Sequence, residues 1–115
     1  MDETYISFYL KVNRIHIFID ALRRIGSPAR ICFMISQNGS SLLLTPYTKL
    51  DFKSHYVSDD VYGGTATMEV HSLKLCRIIS EINGWDTNRS YRVPGTIQAD
   101  QAVIVFDLLN AWKIP

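Results

Sequence analysis

Hydrophobic and polar side chains alternate along two stretches near the beginning of the chain. In the stretch 4–12, apolar side chains such as Ile6 and Phe8 recur at every second position. The stretch 15–19 repeats isoleucine in the same way. Successive side chains of a β-strand point to opposite faces, so this alternation is typical of strands with one buried face. The pattern predicts two consecutive strands.

A change of spacing after the second stretch indicates a short helix. Ala21, Leu22 and Ile25 recur at intervals that share one face of a helix. Asp20 suits the first turn, where unpaired amides attract a carboxylate. Gly26 suits the left-handed position just past the last turn. We therefore predict a helix that begins near Asp20 and ends at Gly26.

Two apolar runs follow this helix, at 30–36 and 41–45. The residues between them read Gln-Asn-Gly-Ser. Asparagine and glycine both tolerate the positive φ that a tight hairpin turn requires. The two runs are therefore predicted to form a β-hairpin.

The second half of the chain repeats this order of elements. A strand pattern at 67–71 precedes Ser72, which suits a helix N-cap. A helical stripe then runs to Gly84 and consists of Leu75, Ile78, Ile79 and Ile82. Two more strand patterns follow, separated by a turn at 99–101.

These elements predict an α+β fold that is mostly β, a small barrel or sheet with two short helices. All 115 residues fit one domain, because a chain of this size can bury a single core. The repeated pattern spans 13–47 and 67–108, and a polar connection at 48–66, with one short strand at 55–57, joins the two parts. Internal duplication and a chance alternation of elements would both produce this order.

Composition places the chain among globular proteins, with 47% hydrophobic and 20% charged residues. The apolar runs are far shorter than the ~20 residues that cross a bilayer. Asp2 and Glu3 stand where a signal peptide would begin with basic residues. We therefore expect an intracellular, cytoplasmic protein without a membrane partner. Cys32 and Cys76 lie among apolar residues and are expected to be buried free thiols.

Basic charge is concentrated in one segment, although the net charge of the chain is only +1. Residues 11–30 carry five basic side chains against Asp20 alone. Arginine suits phosphate because its planar guanidinium forms paired hydrogen bonds and stays charged. If the apolar side of the predicted helix packs inward, Arg23 and Arg24 face water. The candidate DNA-binding residues are therefore Lys11, Arg14, Arg23, Arg24 and Arg30.

The segment NRIHIFIDALRRIGSPARICFMISQNGSSLLLTPY, residues 13–47, resembles the AbrB/MazE/SpoVT swapped-hairpin family of bacterial DNA-binding regulators. In that family a strand leads into a short helix with a Leu-Arg pair and a final glycine, and a hairpin follows. Here the helix contains Leu22, the arginine pair Arg23 and Arg24, and the terminal Gly26, and NGSSLLLTP supplies the hairpin. The second half fits by pattern alone. Family members form their barrel from two chains, and the resemblance implies that this duplicated chain forms such a barrel alone. It also implies that the chain binds duplex DNA as a transcriptional regulator.

Two other interpretations compete with DNA binding. The arginines of the predicted helix could form a solvated face with a salt bridge between Asp20 and Arg24. A protein-interaction module, such as an antitoxin or an accessory protein, would instead dock a protein partner through a sheet edge. Rising salt weakens the binding of phosphate but not of an apolar surface. Both a monomer and a homodimer fit the sequence.

The remaining basic and titratable residues carry less information. A weaker basic surface in the second half is predicted from Lys74, Arg77, Arg89 and Arg92, with Glu69, Glu81 and Asp86 among them. His16 and His71 occupy corresponding places in the strands before the two helices and are expected to be exposed. The histidine spacings match no metal site or catalytic triad. We expect a protein that is not an enzyme and needs no cofactor or metal.

Overall fold

The computed structural model describes residues 2–48, 54–64 and 66–115. These residues form nine β-strands and three α-helices. The strands are β1 (Glu3–Tyr9), β2 (Arg14–Phe18), β3 (Arg30–Ile35), β4 (Ser41–Pro46), β5 (His55–Tyr56), β6 (Thr67–His71), β7 (Ser90–Gln98), β8 (Val103–Asp107) and β9 (Trp112–Ile114). The helices are α1 (Ile19–Arg24), α2 (Asp59–Gly64) and α3 (Leu73–Asn83). The predicted class, α+β and mostly β, is confirmed.

The connection between the two halves contains more structure than predicted. β5 is the short strand expected there, and α2 is a helix that the sequence did not indicate. The positions 49–53 and 65 of this connection lie outside the described residues. Within the ranges that are described, no helix combines the length and the apolar character needed to span a bilayer.

One antiparallel sheet joins the strands in the order β5-β3-β4-β8-β7-β1-β2-β6 and curves into a nearly closed barrel. β9 pairs with the first part of β7, whereas β8 pairs with the last part. Pro94 lies between these two stretches of β7. Proline has no N–H to donate, so it is tolerated where a strand changes partners.

The hairpin of each half inserts into the other half. The hairpin β3–β4 lies between β5 and β8, and the hairpin β7–β8 lies between β4 and β1. Exchanging β1–β4 with β5–β8 reproduces six of the seven pairings in this order; the exception is β1–β2, whose counterpart β5–β6 is not among the strand pairings of the described residues. The order therefore has approximate two-fold symmetry, about an axis between β2 and β6 on one side and between β4 and β8 on the other. The central pair of β2 and β6 is His16 opposite Glu69.

The first predicted strand ends earlier than its alternation suggests. It was expected to span 4–12, but Leu10–Val12 form a 3₁₀ turn and β1 ends at Tyr9. Asn13 follows with a left-handed φ of 54°, which asparagine tolerates better than most residues. This turn reverses the chain directly into β2.

Helix α3 has the predicted caps, but its buried side is shifted relative to the predicted stripe. Ser72 Oγ accepts a hydrogen bond from the backbone N–H of Leu75 at 3.1 Å, and Gly84 follows the last turn with a φ of 65°. The buried residues of α3 are Cys76, Ile79 and Ser80. Ile82, the last residue of the predicted apolar stripe, is 51% exposed. Ser80 lies on the buried side. Its hydroxyl is satisfied there, because it donates a hydrogen bond to the backbone carbonyl of Cys76 at 2.6 Å.

Apolar side chains from the inward positions of the strands and from α1 and α3 form the core. The largest fully buried ones are Phe8, Phe106, Ile6, Ile15, Ile17, Ile19, Leu22, Ile31, Leu42, Leu44, Ile79 and Ile104. Each contributes about 1.5–3 kcal/mol relative to an exposed position. The expected burial of Cys32 and Cys76 as free thiols is confirmed. Because apolar residues take the inward positions, the charged residues of the same strands remain at least partly exposed.

Candidate nucleic-acid interface

The predicted DNA-binding residues occupy three separate parts of the surface. Lys11 lies in the turn before β2, and Arg14 is the first residue of β2. Arg23 and Arg24 lie in α1, beyond the opposite end of β2. The strand spans about 13 Å at ~3.3 Å per residue. Arg30 begins β3, whose neighbours are β4 and β5. The basic segment of the sequence therefore does not form one patch.

Both arginines of α1 are paired with carboxylates of the chain itself. Arg23 donates to Asp20 Oδ1 at 3.2 Å and to the backbone carbonyl of Tyr62 in α2 at 2.6 Å. Arg24 forms an ion pair with Asp2, which precedes β1. The predicted pair between Asp20 and Arg24 is not formed, because Asp20 pairs with Arg23. Two negative charges thus balance the two positive charges at this end of the barrel.

Arg30 is held between β3 and β5. Its Nη1 donates to Ser54 Oγ at 3.1 Å, and its guanidinium carbon lies 5.6 Å from the ring centroid of Tyr56. An aromatic ring attracts a cation placed over its face. Arg30 therefore links β5 to β3 and is less accessible to a phosphate than an arginine that points into water.

A different group of basic side chains comes together on the outer surface of β7, β1, β2 and β6. The registers of these four strands align outward-facing residues in rows across the sheet. One row consists of Arg92, Ser7, His16 and Glu69, and the neighbouring row consists of Ser90, Tyr9, Arg14 and His71. We call these two rows the basic face.

Glu69 lies at the β6 edge of the basic face and contacts side chains from two strands. Its Oε1 is 3.0 Å from His16 Nε2 and 3.9 Å from Arg14 Nη1. Its Oε2 is 3.4 Å from His71 Nε2. The hydrogen bond from His71 is the largest cause that holds the pKa of Glu69 below its ordinary value, and the charges of Arg14 and His16 act in the same direction. Glu69 therefore carries its negative charge throughout the neutral pH range.

Arg92 and Tyr9 complete the basic face. Arg92 Nε donates to Ser7 Oγ at 3.2 Å, which connects β7 to β1. The ring of Tyr9 lies 4.7 Å from the ring of His16, measured between centroids. With neutral histidines, the basic face carries two arginines against one carboxylate. It therefore has an excess of positive charge, which the end of the barrel at α1 lacks.

Sequence reasoning named only one residue of the basic face, Arg14, as a site residue. It assigned Arg92 to a weaker surface in the second half and treated the two histidines as isolated exposed residues. The spacings Arg14-x-His16 in β2 and Glu69-x-His71 in β6 were the available signal. Alternation indicates that such side chains face outward, but it does not reveal which strands are neighbours.

The contacts of Glu69 with the two histidines also invite comparison with a metal site. Over residues 2–48, 54–64 and 66–115, no group of three or more His, Cys, Asp or Glu side chains is arranged to hold a metal ion. The contacts are those of a hydrogen-bonded charge cluster on an exposed sheet surface.

Comparison with known proteins adds no relative whose activity could guide the assignment. No protein family model, curated protein or solved structure matches the chain.

Proposed function

We propose that this chain is a non-catalytic transcriptional regulator of AbrB-like type that binds duplex DNA through the basic face. The observation that carries the proposal is the alignment of Arg92, Arg14 and two histidines in the two outward rows of the basic face, where Glu69 is the one carboxylate. An excess of positive charge attracts the phosphate backbone of DNA, and guanidinium groups pair well with phosphate oxygens.

The exchange of hairpins supports the AbrB-like part of this proposal. The resemblance of residues 13–47 implies a duplicated chain that completes a two-chain barrel alone. In this chain each half inserts its hairpin between strands of the other half. A fold can host many functions, so the support for DNA binding comes from the side chains of the basic face and not from the barrel itself.

The arginines of α1 take a secondary role in this proposal. Their ion pairs are exposed, and exposed pairs of this kind contribute about 0–1 kcal/mol. A DNA phosphate could therefore replace Asp20 beside Arg23, or Asp2 beside Arg24, at small cost. We assign these two arginines to flanking contacts, together with Lys11. Arg30 contributes least, because Ser54 and Tyr56 already engage its guanidinium.

A fluorescence anisotropy titration with random duplex DNA tests the proposal. We expect affinity to fall steeply between about 50 mM and about 200 mM salt, because neutralised phosphates release counterions. In the variant Arg14→Gln/Arg92→Gln we expect affinity at low salt to drop roughly tenfold or more, and the logarithmic salt slope to decrease by about two.

The double variant Arg77→Gln/Arg89→Gln is the matched control. It removes the same charge from exposed positions in α3 and in the turn before β7, outside the basic face. We expect it to bind DNA nearly as well as the unmodified protein. Equal losses in the two double variants, or an affinity independent of salt, would contradict DNA binding at the basic face.

Docking of a protein partner is a second candidate function, favoured by the opposite side of the barrel. There the registers of β3, β4 and β8 align an uncharged outward row of Met34, Leu43 and Val105. Met34 is 48% exposed. A protein partner held by apolar contacts at this row would bind with an affinity nearly independent of salt, in contrast to DNA.

A further inference from the structure

We infer that His16 and His71 regulate the basic face, so that its affinity for DNA phosphate rises when both imidazoles take up protons. The inference rests on the proposed function, because it concerns the regulation of the same surface. It adds an acid-dependent control that the arginines alone would not provide.

The geometry places the two histidines on either side of one carboxylate. Glu69 Oε1 lies 3.0 Å from His16 Nε2, and Glu69 Oε2 lies 3.4 Å from His71 Nε2. Each carboxylate oxygen therefore faces an imidazole nitrogen. A carboxylate oxygen at these distances accepts a hydrogen bond from an imidazole N–H. Glu69 can thus accept a hydrogen bond from each of the two imidazoles when they are protonated, and both rings stay on the outer surface.

The groups that face these histidines come from all the strands around them. β1 contributes Tyr9, whose ring lies 4.7 Å from that of His16, and β2 contributes Arg14, 3.9 Å from the Glu69 carboxylate. β7 contributes Arg92, whose Nε reaches Ser7, the residue opposite His16. Imidazole is the type of side chain whose charge ordinarily changes between about pH 5 and about pH 8, in contrast to guanidinium and phenol groups.

Protonation of the two histidines increases the net positive charge of the basic face. With neutral imidazoles, Arg14 and Arg92 exceed Glu69 by one positive charge. With both imidazoles protonated, the excess is three. The carboxylate does not cancel this gain, because its contacts hold its pKa below the ordinary value. Since a polyanion responds to each added positive charge, affinity is expected to increase as the pH falls.

The third histidine of the chain provides an internal control. His55 lies in β5, with its ring centroid 5.6 Å from that of Phe33. It is not part of the basic face, and burial lowers its pKa. The chain has three histidines in total, so the variants His16→Gln/His71→Gln and His55→Gln separate the basic face from the rest.

The experiment measures the affinity for a random DNA duplex at about pH 7.5 and about pH 5.5, at constant ionic strength. We expect roughly tenfold tighter binding at the lower pH in the unmodified protein and in His55→Gln. In His16→Gln/His71→Gln we expect the change to shrink to about twofold or less. In Glu69→Gln, which removes the negative charge, we expect severalfold tighter binding at the higher pH. Circular dichroism at both pH values verifies that each variant is folded.

The outcomes separate this inference from the proposed function. DNA binding that tightens tenfold in the double histidine variant would overturn the regulation while leaving DNA binding intact. Binding by the unmodified protein that does not change with pH would do the same. Failure to bind DNA at either pH, even at low salt, would overturn both.

Discussion

The backbone of Gly95 in β7 lies directly against the aromatic ring of Phe106, its partner in the neighbouring strand β8. A Cβ atom at position 95 would lie 2.5 Å from Phe106 Cδ1, which is closer than real Cβ contacts allow. Phe106 is fully buried in the barrel and cannot move aside without disturbing the core. Position 95 therefore requires a residue without a side chain.

The substitution Gly95→Ala is accordingly expected to lower the free energy of unfolding by about 1–3 kcal/mol, the usual cost of overpacking a core. Urea denaturation followed by circular dichroism measures it. The control is Gly63→Ala in α2, where an added Cβ meets nothing within 4 Å. Equal stabilities of the two variants would contradict the close packing of β7 against β8.

The substitution Glu69→Gln is expected to lower stability at neutral pH but not in acid. The folded protein depresses the pKa of Glu69 below its ordinary value of 4.5. A carboxylate with a depressed pKa contributes stability above the unfolded pKa and loses it as the pH falls through the folded pKa. Denaturation midpoints of the variant and the unmodified protein should therefore differ near pH 7 and converge below about pH 4. Glu81→Gln, on the exposed side of α3, is the matched control, and a pH-independent difference would contradict the contacts of Glu69.

The thiol of Cys76 is expected to react slowly in the folded protein. Burial against the barrel raises its pKa to about 11. At a mildly alkaline pH the thiolate, which is the reactive form, is then about a hundredfold scarcer than for a thiol with the ordinary pKa of 9.0. The variant Cys32→Ser leaves Cys76 as the single thiol, and its rate with a disulfide reagent can be compared before and after unfolding. Equal rates would contradict the packing of α3.

The variant Arg23→Gln/Arg24→Gln is expected to reduce DNA affinity less than Arg14→Gln/Arg92→Gln. Asp20 and Asp2 already balance the charge of the α1 arginines, whereas one carboxylate opposes the arginines of the basic face. Anisotropy titrations of the two variants at the same salt concentration measure the difference. A larger loss of DNA affinity in the α1 variant would indicate that DNA mainly contacts α1 and not the basic face.

Local chemistry explains which elements could be predicted from the sequence. Ser72 caps α3 and Gly84 ends it with a positive φ, because both roles depend on a residue and its nearest neighbours along the chain. The turn at Gly39, with a φ of 75°, follows from the same kind of rule. Ile82 departs from its helical stripe because the surroundings of a helix, rather than its own spacing, decide which side is buried.

The candidate site depends on contacts between distant parts of the chain, which local patterns do not specify. Ser7 and Arg92 are 85 positions apart, and only the pairing of β1 with β7 brings them together. Asp2 reaches Arg24 across 22 positions, so the counter-ion of that arginine was equally hidden. Strand pairing therefore decides which side chains become neighbours. Of the five basic side chains in the segment 11–30, only Arg14 belongs to the basic face of the barrel.

Amide NMR spectra recorded during a titration with duplex DNA test the central claim most directly. If the basic face binds DNA, the amide shifts that change should concentrate in β1, β2, β6 and the first part of β7. The amides of β3, β4 and β8, around Leu43 and Val105, should remain nearly unchanged. Shifts concentrated in those three strands, or spectra that do not respond to DNA at low salt, would contradict DNA binding at the basic face.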